Sequence, residues 1–320
     1  MNKLMLNIII IFLIVFYYSC LSARTLEVSK SGSVFSKIND ALSRAASGDI
    51  IIVGPGVYYE NIYLKNMGNI KISGSGPNNT KIQSEDSEKA IFLYECTNIY
   101  IKGFSIISGG ESIYIYKSSG VVQNCYITSS GHGIYVNTSI TTVATIKNCI
   151  INSCRQNGIH TNSIATTILN NTIVANNGFG IVGDCTIRSN IIAYNGNQGI
   201  SSVKKSYISH NNYFKNNQSN LPDFYELSLG DISEDPLFID YDSGNFALQS
   251  ISPCVNTGIV GSQYLDPDGT RNDMGAYGGP AAAFFWPYIS GGPIVTEIEI
   301  TPSSVPKGSK IQLKAIGVVQ

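Results

Sequence analysis

The chain has 320 residues, 43% hydrophobic and 13% charged, and its 21 Lys and Arg against 22 Asp and Glu give a formal net charge of −1. So few charges exclude a long disordered tail or a charge-rich helical bundle, and the balanced charge excludes the basic footprint of a nucleic-acid-binding protein. With 31 Gly and 19 Tyr, the composition favours an all-β chain.

The first predicted element is an export signal. An apolar run over residues 8–18 is too short to span a bilayer as a helix. The small residue Ala23 suits signal-peptidase cleavage, so we expect residues 1–23 to be removed. The mature chain is then secreted or held at the cell surface without a membrane span. The alternative is lipid attachment at Cys20, but Tyr17 stands where lipoprotein signals usually carry Leu.

Six cysteines remain after this cleavage, and no two have the CxxC spacing of a zinc or redox site. They are too sparse for a disulfide-built scaffold, which favours small buried thiols in a core. The six are Cys96, Cys125, Cys149, Cys154, Cys185 and Cys254.

A capping unit is predicted next. The pattern indicates a strand at 25–28, a helix near 36–46 and a strand at 49–53. Ser36 is the candidate N-cap of the helix and Gly48 its stop. Because the helix is apolar along one face, it would cover the open end of whatever core follows.

The middle of the chain is a repeat. In most copies a branched apolar residue is followed two positions later by Asn or a small polar residue, and the copies begin 19 to 24 residues apart. A unit this short cannot bury its own apolar face, so it must stack on its neighbours. The variable spacing favours a parallel β-helix over a propeller. The copies begin at Ile101, Val122, Ile146, Ile168, Ile187 and Ile208.

The recurrent Asn has a structural interpretation of its own. It suits a tight turn with left-handed backbone, where Asn is tolerated. Stacked copies would also let the Asn side chains form a hydrogen-bonded ladder. The same register places Cys125 and Cys149 one coil apart.

Three segments near the start, residues 35–42, 48–53 and 56–62, carry a family pattern. Together with the coils, over roughly residues 25–220, they resemble the pectin-lyase-like family of right-handed β-helix proteins. The resemblance implies an all-β, single-stranded right-handed parallel β-helix with an N-terminal cap helix over residues 24–230. It does not fix the chemistry, because lyases, hydrolases, esterases and non-catalytic surface proteins share this fold.

Residues 231–293 are similar to a common C-terminal tail of secreted bacterial β-helix proteins, and we expect them to form the last coils and tail. Three acids in this segment, Asp266, Asp268 and Asp273, are candidate ligands for Ca²⁺ through their carboxylate oxygens. The alternative is that Asp266 and Asp273 pair with Arg271 and fix the loop. This alternative is favoured because the closing Glu of a calcium loop is missing.

Residues 294–320 resemble the first strands of a bacterial immunoglobulin-like domain. Two alternating strands are expected at 295–302 and 310–315. Such a sandwich needs about seven strands and 100 residues, so we expect the sequence to stop inside this domain.

The candidate binding site is a stripe on one sheet of the coils. Alternate strand positions face solvent there, and aromatic faces stack on sugar rings. We therefore expect a polysaccharide partner, with ordinary stacking of rings between coils as the alternative. The predicted substrate-binding residues are Phe92, Tyr94, Tyr114, Tyr116, Tyr135, Asn137 and Asn162.

Catalysis is a further possibility, with His160, Asp184 and Lys204 as the candidate residues at the edge of the stripe. A base of this kind suits a polysaccharide lyase. Glycoside hydrolysis needs two carboxylates around the scissile bond. Gly131–Gly133 resembles the Gly-His-Gly motif of polygalacturonases, but their paired aspartates are replaced around Glu111. The leading interpretation is an exported protein that binds or processes polysaccharide; the alternatives are a structural or adhesive surface protein, and a lyase or hydrolase.

Overall fold

The computed structural model describes residues 23–84, 86, 88–137, 143–201, 208–222 and 226–282, and the backbone of 294–301 and 312–318. One short helix, α1, spans Ile38–Leu42. The first strands are β1 (Thr25–Val28), β2 (Ile50–Val53), β3 (Gly56–Tyr59), β4 (Ile62–Lys65), β5 (Lys71–Gly74), β6 (Thr80–Gln83), β7 (Ile91–Tyr94), β8 (Ile99–Lys102), β9 (Ser105–Ser108), β10 (Ile113–Tyr116), β11 (Gly120–Gln123), β12 (Tyr126–Ser129) and β13 (Ile134–Asn137).

The remaining strands of the coils become shorter toward their end. They are β14 (Ala144–Lys147), β15 (Ile150–Asn152), β16 (Ile159–Thr161), β17 (Thr167–Leu169), β18 (Thr172–Val174), β19 (Ile181–Val182), β20 (Thr186–Arg188), β21 (Ile191–Ala193), β22 (Ile200–Ser201), β23 (Ile208–Ser209) and β24 (Asn212–Phe214). Two hairpin strands, β25 (Phe238–Asp240) and β26 (Asn245–Leu248), follow, and a 3₁₀ turn spans Ser262–Tyr264.

Strands β1 to β24 form three parallel sheets of nine, eight and seven strands, and each complete coil contributes one strand to each sheet. Sheet A has the order β1-β2-β5-β8-β11-β14-β17-β20-β23. Sheet B runs from β3 to β24, and sheet C runs from β4 to β22. The predicted parallel β-helix is confirmed, and its register is the predicted one, because Val122 pairs with both Ile101 and Ile146.

The core is a set of apolar columns that run along the axis inside the coils. In sheet C, Ile113 pairs with Ile91 and Ile134, and all three are buried. Strands alternate buried and half-buried residues, as period-two patterning requires. Stacking of identical apolar residues therefore removes from water a surface that no single coil can bury.

Two ladders of buried amides run through the turns. In the first, the backbone N–H and the Nδ2 of Asn171 both donate to Asn190 Oδ1, at 2.8 and 3.0 Å, and Asn190 repeats this with Asn211. Asp231 ends this ladder by accepting from Asn211. The second ladder is formed by Asn176, Asn195 and Asn216, and it ends at Asn220.

The predicted double role of the recurrent Asn is divided between neighbouring positions. The left-handed residue is the one two positions after the apolar start, as in Asn124, Asn148 and Asn170, whose φ values are 49°, 50° and 51°. The ladder residue is the next one along, such as Asn171 or Asn190. A residue in the left-handed turn points its side chain out of the coil, so only its neighbour can reach inward to the next coil.

The cap helix is shorter than predicted and is capped differently. It begins after Lys37, which makes no side-chain capping bond, and it ends at Leu42. Glu60 takes the role expected for Ser36: its carboxylate accepts the N–H groups of Ile38 and Asn39, at 2.8 and 3.0 Å. A negative charge at a helix N-terminus is favourable, which helps Glu60 to be buried there.

The six cysteines are free and buried, which confirms the predicted thiols. Ile150 N–H donates to Cys125 O at 2.9 Å, which places Cys149 beside Cys125 on successive coils. Burial and contact with the Cys125 thiol raise the pKa of Cys149. These thiols fill space in the core, where reactive thiolates are suppressed.

Residues 237–282, here called the C-terminal strap, pack on the outer face of sheet B. Phe238 and Met274 contact a row of outward residues that includes Ile150 and Ile191. Amides of the left-handed turns hold the strap: Asn148 Nδ2 donates to Gly278 O at 2.7 Å. Both faces of the last strands of sheet B are therefore buried.

Other predictions fall at the ends of the chain. Residues 1–22 of the expected export signal lie outside the described residues. Within the described ranges, no helix has the length and hydropathy needed to cross a bilayer. Strands β27 (Ile294–Thr301) and β28 (Gln312–Val318) pair antiparallel, close to the predicted positions. The immunoglobulin-like domain itself stays a prediction.

The first amide ladder, which contains Asn190, is expected to contribute to the stability of the fold. Asn190→Ala should lower the free energy of unfolding by about 3 kcal/mol, because the buried N–H of Asn171 and the buried C=O of Ile168 would lose their partners. The measurement is chemical denaturation. Asn217→Ala is the control, since this exposed Asn makes one 3.3 Å bond to Gly196 O and should cost under about 1 kcal/mol. Equal losses in both variants would contradict a structural role for the ladder.

Candidate functional site

A row of rings crosses the outer face of sheet C, one ring from each of five successive coils. The centroid distances from ring to neighbouring ring are 5.3, 5.1, 5.0 and 4.8 Å. Each step joins residues that are paired in the strand register. This ring row consists of Tyr63, Phe92, Tyr114, Tyr135 and His160.

The spacing of the ring row decides how the rings lie. Rings flat on the sheet would clash at about 5 Å, because carbon atoms of neighbouring rings need about 3.5 Å between them. The rings are therefore inclined to the sheet, and the planes of neighbouring rings differ by 29° to 38°. The inner rings of Phe92, Tyr114 and Tyr135 are half-buried, while Tyr63 at the end of the row is 48% exposed.

A second, shorter column lies beside the ring row. Tyr94 stacks on Tyr116 with centroids 5.4 Å apart, and Asn137 follows Tyr116 in the register. Three lysine ammonium groups lie over the rings: Lys65 Nζ is 5.5 Å from the Tyr94 centroid, Lys89 Nζ is 5.3 Å from that of Tyr114, and Lys117 Nζ is 5.3 Å from that of Tyr116. The face therefore combines aromatic surface with positive charge.

Side-chain amides of Asn residues hydrogen-bond to two phenol groups of the ring row. Asn137 Nδ2 donates to Tyr114 Oη at 3.1 Å, and Asn162 Nδ2 donates to Tyr135 Oη at 3.3 Å. These bonds orient the hydroxyls and leave each amide oxygen on the same face. The predicted substrate-binding residues are thus brought together on one surface, and the structure adds Tyr63 to them.

Two histidines end the row. The His132 ring meets the His160 ring edge-on at 5.1 Å, and His160 stacks on Tyr135. Asn157 N–H donates to His132 Nδ1 at 3.2 Å, so neutral His132 carries its proton on Nε2. Burial lowers the pKa of both histidines. Both are therefore neutral at pH 7, but the one acceptor nitrogen of His132 is already occupied by Asn157 N–H.

The three predicted catalytic residues, His160, Asp184 and Lys204, are not shown to lie together. The His160 ring contacts the rings of Tyr135 and His132, and its buried Nδ1 has no hydrogen-bond partner among the described residues. Its register partner on the next coil is Val182, and Asp184 follows two residues later in a turn. Lys204 lies outside the described residues. His132 was noted in the sequence only through its Gly-His-Gly context, and its pairing with His160 depends on coil register.

The three candidate calcium ligands occupy a loop of the strap. Asp266 Oδ2 accepts Asp273 N–H at 3.0 Å, and Asp273 Oδ1 accepts Asn256 N–H at 2.6 Å. Asp268 is turned to Thr270, whose hydroxyl it accepts at 2.6 Å. Among the described residues, no group of three or more His, Cys, Asp or Glu has a metal-binding arrangement. Calcium binding stays a prediction.

The predicted pairing with Arg271 is wrong. The Arg271 guanidinium instead donates to the carbonyl oxygens of Gly258 and Thr257, at 2.8 and 3.2 Å. Asp266 and Asp273 are left as two adjacent buried carboxyls. Burial, together with the charge of Asp273, raises the pKa of Asp266, and burial raises the pKa of Asp273. Two such groups share protons at neutral pH.

Comparisons with known proteins agree with the fold. Residues 89–226 match the family described as "Right handed beta helix region". The predicted right-handed parallel β-helix is confirmed. The crystal structure of pectate lyase Pel9A superposes with a TM-score of 0.50 over 81% of this chain and 97% of that chain, at 14% identity. At this identity the likeness shows the fold alone.

A curated relative was also found by sequence. The "Cell surface glycoprotein" of Methanothermus fervidus is 34% identical over 113 residues, which are 33% of this chain. The match spans only 18% of the length of that relative. The relative is thus a much longer protein with a similar segment.

The raised pKa values of Asp266 and Asp273 predict that the stability of the protein depends on pH. Both pKa values are raised above the unfolded value of about 3.9, so the folded state holds more protons and stability is lost as pH rises toward the folded pKa values. The free energy of unfolding should fall from pH 5 to pH 8, by up to about 1.4 kcal/mol per pH unit for each extra proton, and the melting temperature should fall with it.

Asp273→Asn is the matching variant. Its Oδ1 can still accept Asn256 N–H, and it carries no charge that could raise the pKa of Asp266. Its melting temperature should therefore depend less on pH than that of the wild type. Equal slopes in the two proteins, measured by calorimetry, would contradict the assignment.

Proposed function

We propose that this chain is a surface-exposed β-helix that binds linear polysaccharide along the ring row of sheet C. The observation that carries the proposal is one inclined ring per coil on an open face, with hydroxyls oriented by amides. The name of the relative from Methanothermus fervidus supports a location at the cell surface. The fold shared with a pectate lyase is consistent with a polysaccharide partner.

The repeat of the ring row suits a polymer of sugars. Successive coils are about 4.8 Å apart, close to the length of one residue in an extended glycan. The exposed parts of the ring faces offer apolar contact to sugar C–H groups, while Tyr and Asn offer hydrogen bonds to hydroxyls. The glycan would lie along the axis and place one sugar over each coil.

The inclination of the rings also limits each contact. Because part of every inner ring face is covered by its neighbour, a sugar gains less from one ring than it would from an isolated tyrosine. Affinity must then come from several coils together, and short oligosaccharides should bind weakly. Tyr63 is the exception, because no earlier strand of sheet C covers it.

A double substitution in the middle of the row tests the proposal. Tyr114→Ala with Tyr135→Ala should weaken binding about tenfold or more, at about 0.5 to 1.5 kcal/mol per ring. Titration calorimetry with polygalacturonate, alginate and xylan is the measurement. Tyr59→Ala is the control, since this ring is 57% exposed on sheet B, away from the row.

The outcome also decides between binding and structural packing. Loss of affinity with an unchanged melting temperature supports the proposal. Unchanged affinity with a large fall in melting temperature would contradict it and favour a structural or adhesive role, in which the rings stabilise the coils by stacking. Absence of binding to all three polymers in the wild type would contradict it as well.

Proton-transfer catalysis is a second candidate function, supported by the contact between neutral His132 and His160 at the end of the row. A lyase base must accept a proton beside the substrate. Turnover of polygalacturonate, followed by ultraviolet absorbance of the unsaturated product, should then be lost in His160→Ala. It should persist in His210→Ala, whose ring lies at a sheet A turn away from the row. Turnover that survives His160→Ala would exclude this site.

A further inference from the structure

The outer face of sheet A carries positive charge without acidic residues. Its strands from β5 to β23 contain no Asp or Glu among their described residues, and four basic side chains occupy outward positions. This face is separate from the ring row, which belongs to sheet C. The four basic residues are Lys71, Lys102, Lys147 and Arg188.

Three of these residues are evenly spaced in one column. Lys102 and Lys147 are separated by Gln123, and Lys147 and Arg188 are separated by Leu169. Since neighbouring strands are about 4.8 Å apart, the positive charges recur about every 9.6 Å along the axis. We call this column the basic column.

Hydroxyl groups accompany the basic column. Thr145, Thr167 and Thr186 are paired in register on the same outer face, two residues before the positions of Lys147, Leu169 and Arg188. All three Thr residues are half-buried with outward side chains. A ligand on this face would meet a row of hydroxyls beside a row of spaced positive charges.

The end of the basic column is electrostatically uncompensated. Burial, followed by the charges of Arg271 and Arg188, lowers the pKa of His210. Arg188 Nε and His210 Nδ1 are buried and have no hydrogen-bond partner among the described residues. Within the same ranges, neither Lys147 nor Arg188 makes an ion pair, whereas Lys117 on sheet C contacts Glu95 at 3.7 Å. An anion bound on this face would compensate the charges of Lys147 and Arg188.

We infer that the outer face of sheet A binds a linear acidic polysaccharide carrying about one negative charge for every two coils. The charge spacing favours such a polymer over nucleic acid, because a DNA duplex carries one charge per about 1.7 Å of its axis. The threonine row fits the hydroxyls that a polysaccharide offers between its charged groups. The inference does not depend on glycan binding at the ring row, since the two faces share no residue.

The test measures binding of the full chain to hyaluronan, a linear polymer with one carboxylate per disaccharide, by biolayer interferometry. Wild-type binding should weaken as salt rises above about 0.1 M, where the Debye length is about 10 Å. K147Q with R188Q should bind at least tenfold more weakly. K147R with R188K keeps the charges and should bind within about threefold of the wild type, which separates charge from folding.

Two controls locate the effect. K81Q with K215Q removes the same charge from sheet B and from the turn that follows its last strand, and should leave hyaluronan binding unchanged. K147Q with R188Q should leave binding of uncharged xylan at the ring row unchanged, so failure of the ring-row proposal and failure of this one are distinguishable. Wild-type affinity in K147Q with R188Q would overturn the inference. Tighter binding to duplex DNA than to hyaluronan, lost in that same variant, would overturn it in favour of nucleic acid.

Discussion

Each coil is hydrogen-bonded to the next in a fixed register, and a slip of one residue would turn its apolar side chains from the core to solvent. The amide ladders make that register specific. Asn190 accepts the N–H of Asn171 and donates to Ile168 O, so a displaced coil would leave buried polar groups without partners. The aromatic, basic and apolar columns on the outer faces all follow from this stacking.

Much of this arrangement was predictable because the strand register follows from the number of residues between successive repeat copies. The starts at Ile101, Val122 and Ile146 pair as predicted, and so do the outward neighbours Tyr114 and Tyr135. Period-two alternation decides which residues face outward, and the interval between copies decides which residues meet. Both quantities can be counted without knowledge of tertiary contacts.

The features that were missed depend on contacts between distant parts of the chain. Glu60 caps a helix that begins 22 residues earlier, and nothing near Ser36 indicates it. The strap left a weaker signal: Ile150 and Ile191 are apolar at outward positions, which indicates a strand buried on both faces. The Asp266 and Asp273 pair likewise depends on how the strap folds back on itself.

The same geometry explains why function here should be distributed along the axis. A β-helix repeats each outward position at the strand spacing, so a face built from one residue type per coil becomes a periodic surface. A periodic polymer can match such a surface over many coils, with each contact weak and the sum strong. Lys102 and Lys147 lie two coils apart, whereas the ring row has one ring on every coil. The repeat distance on sheet A is therefore twice that on sheet C. The spacing of charges along a polymer would then determine whether it binds the ring row or the basic column. No single pocket would make that choice.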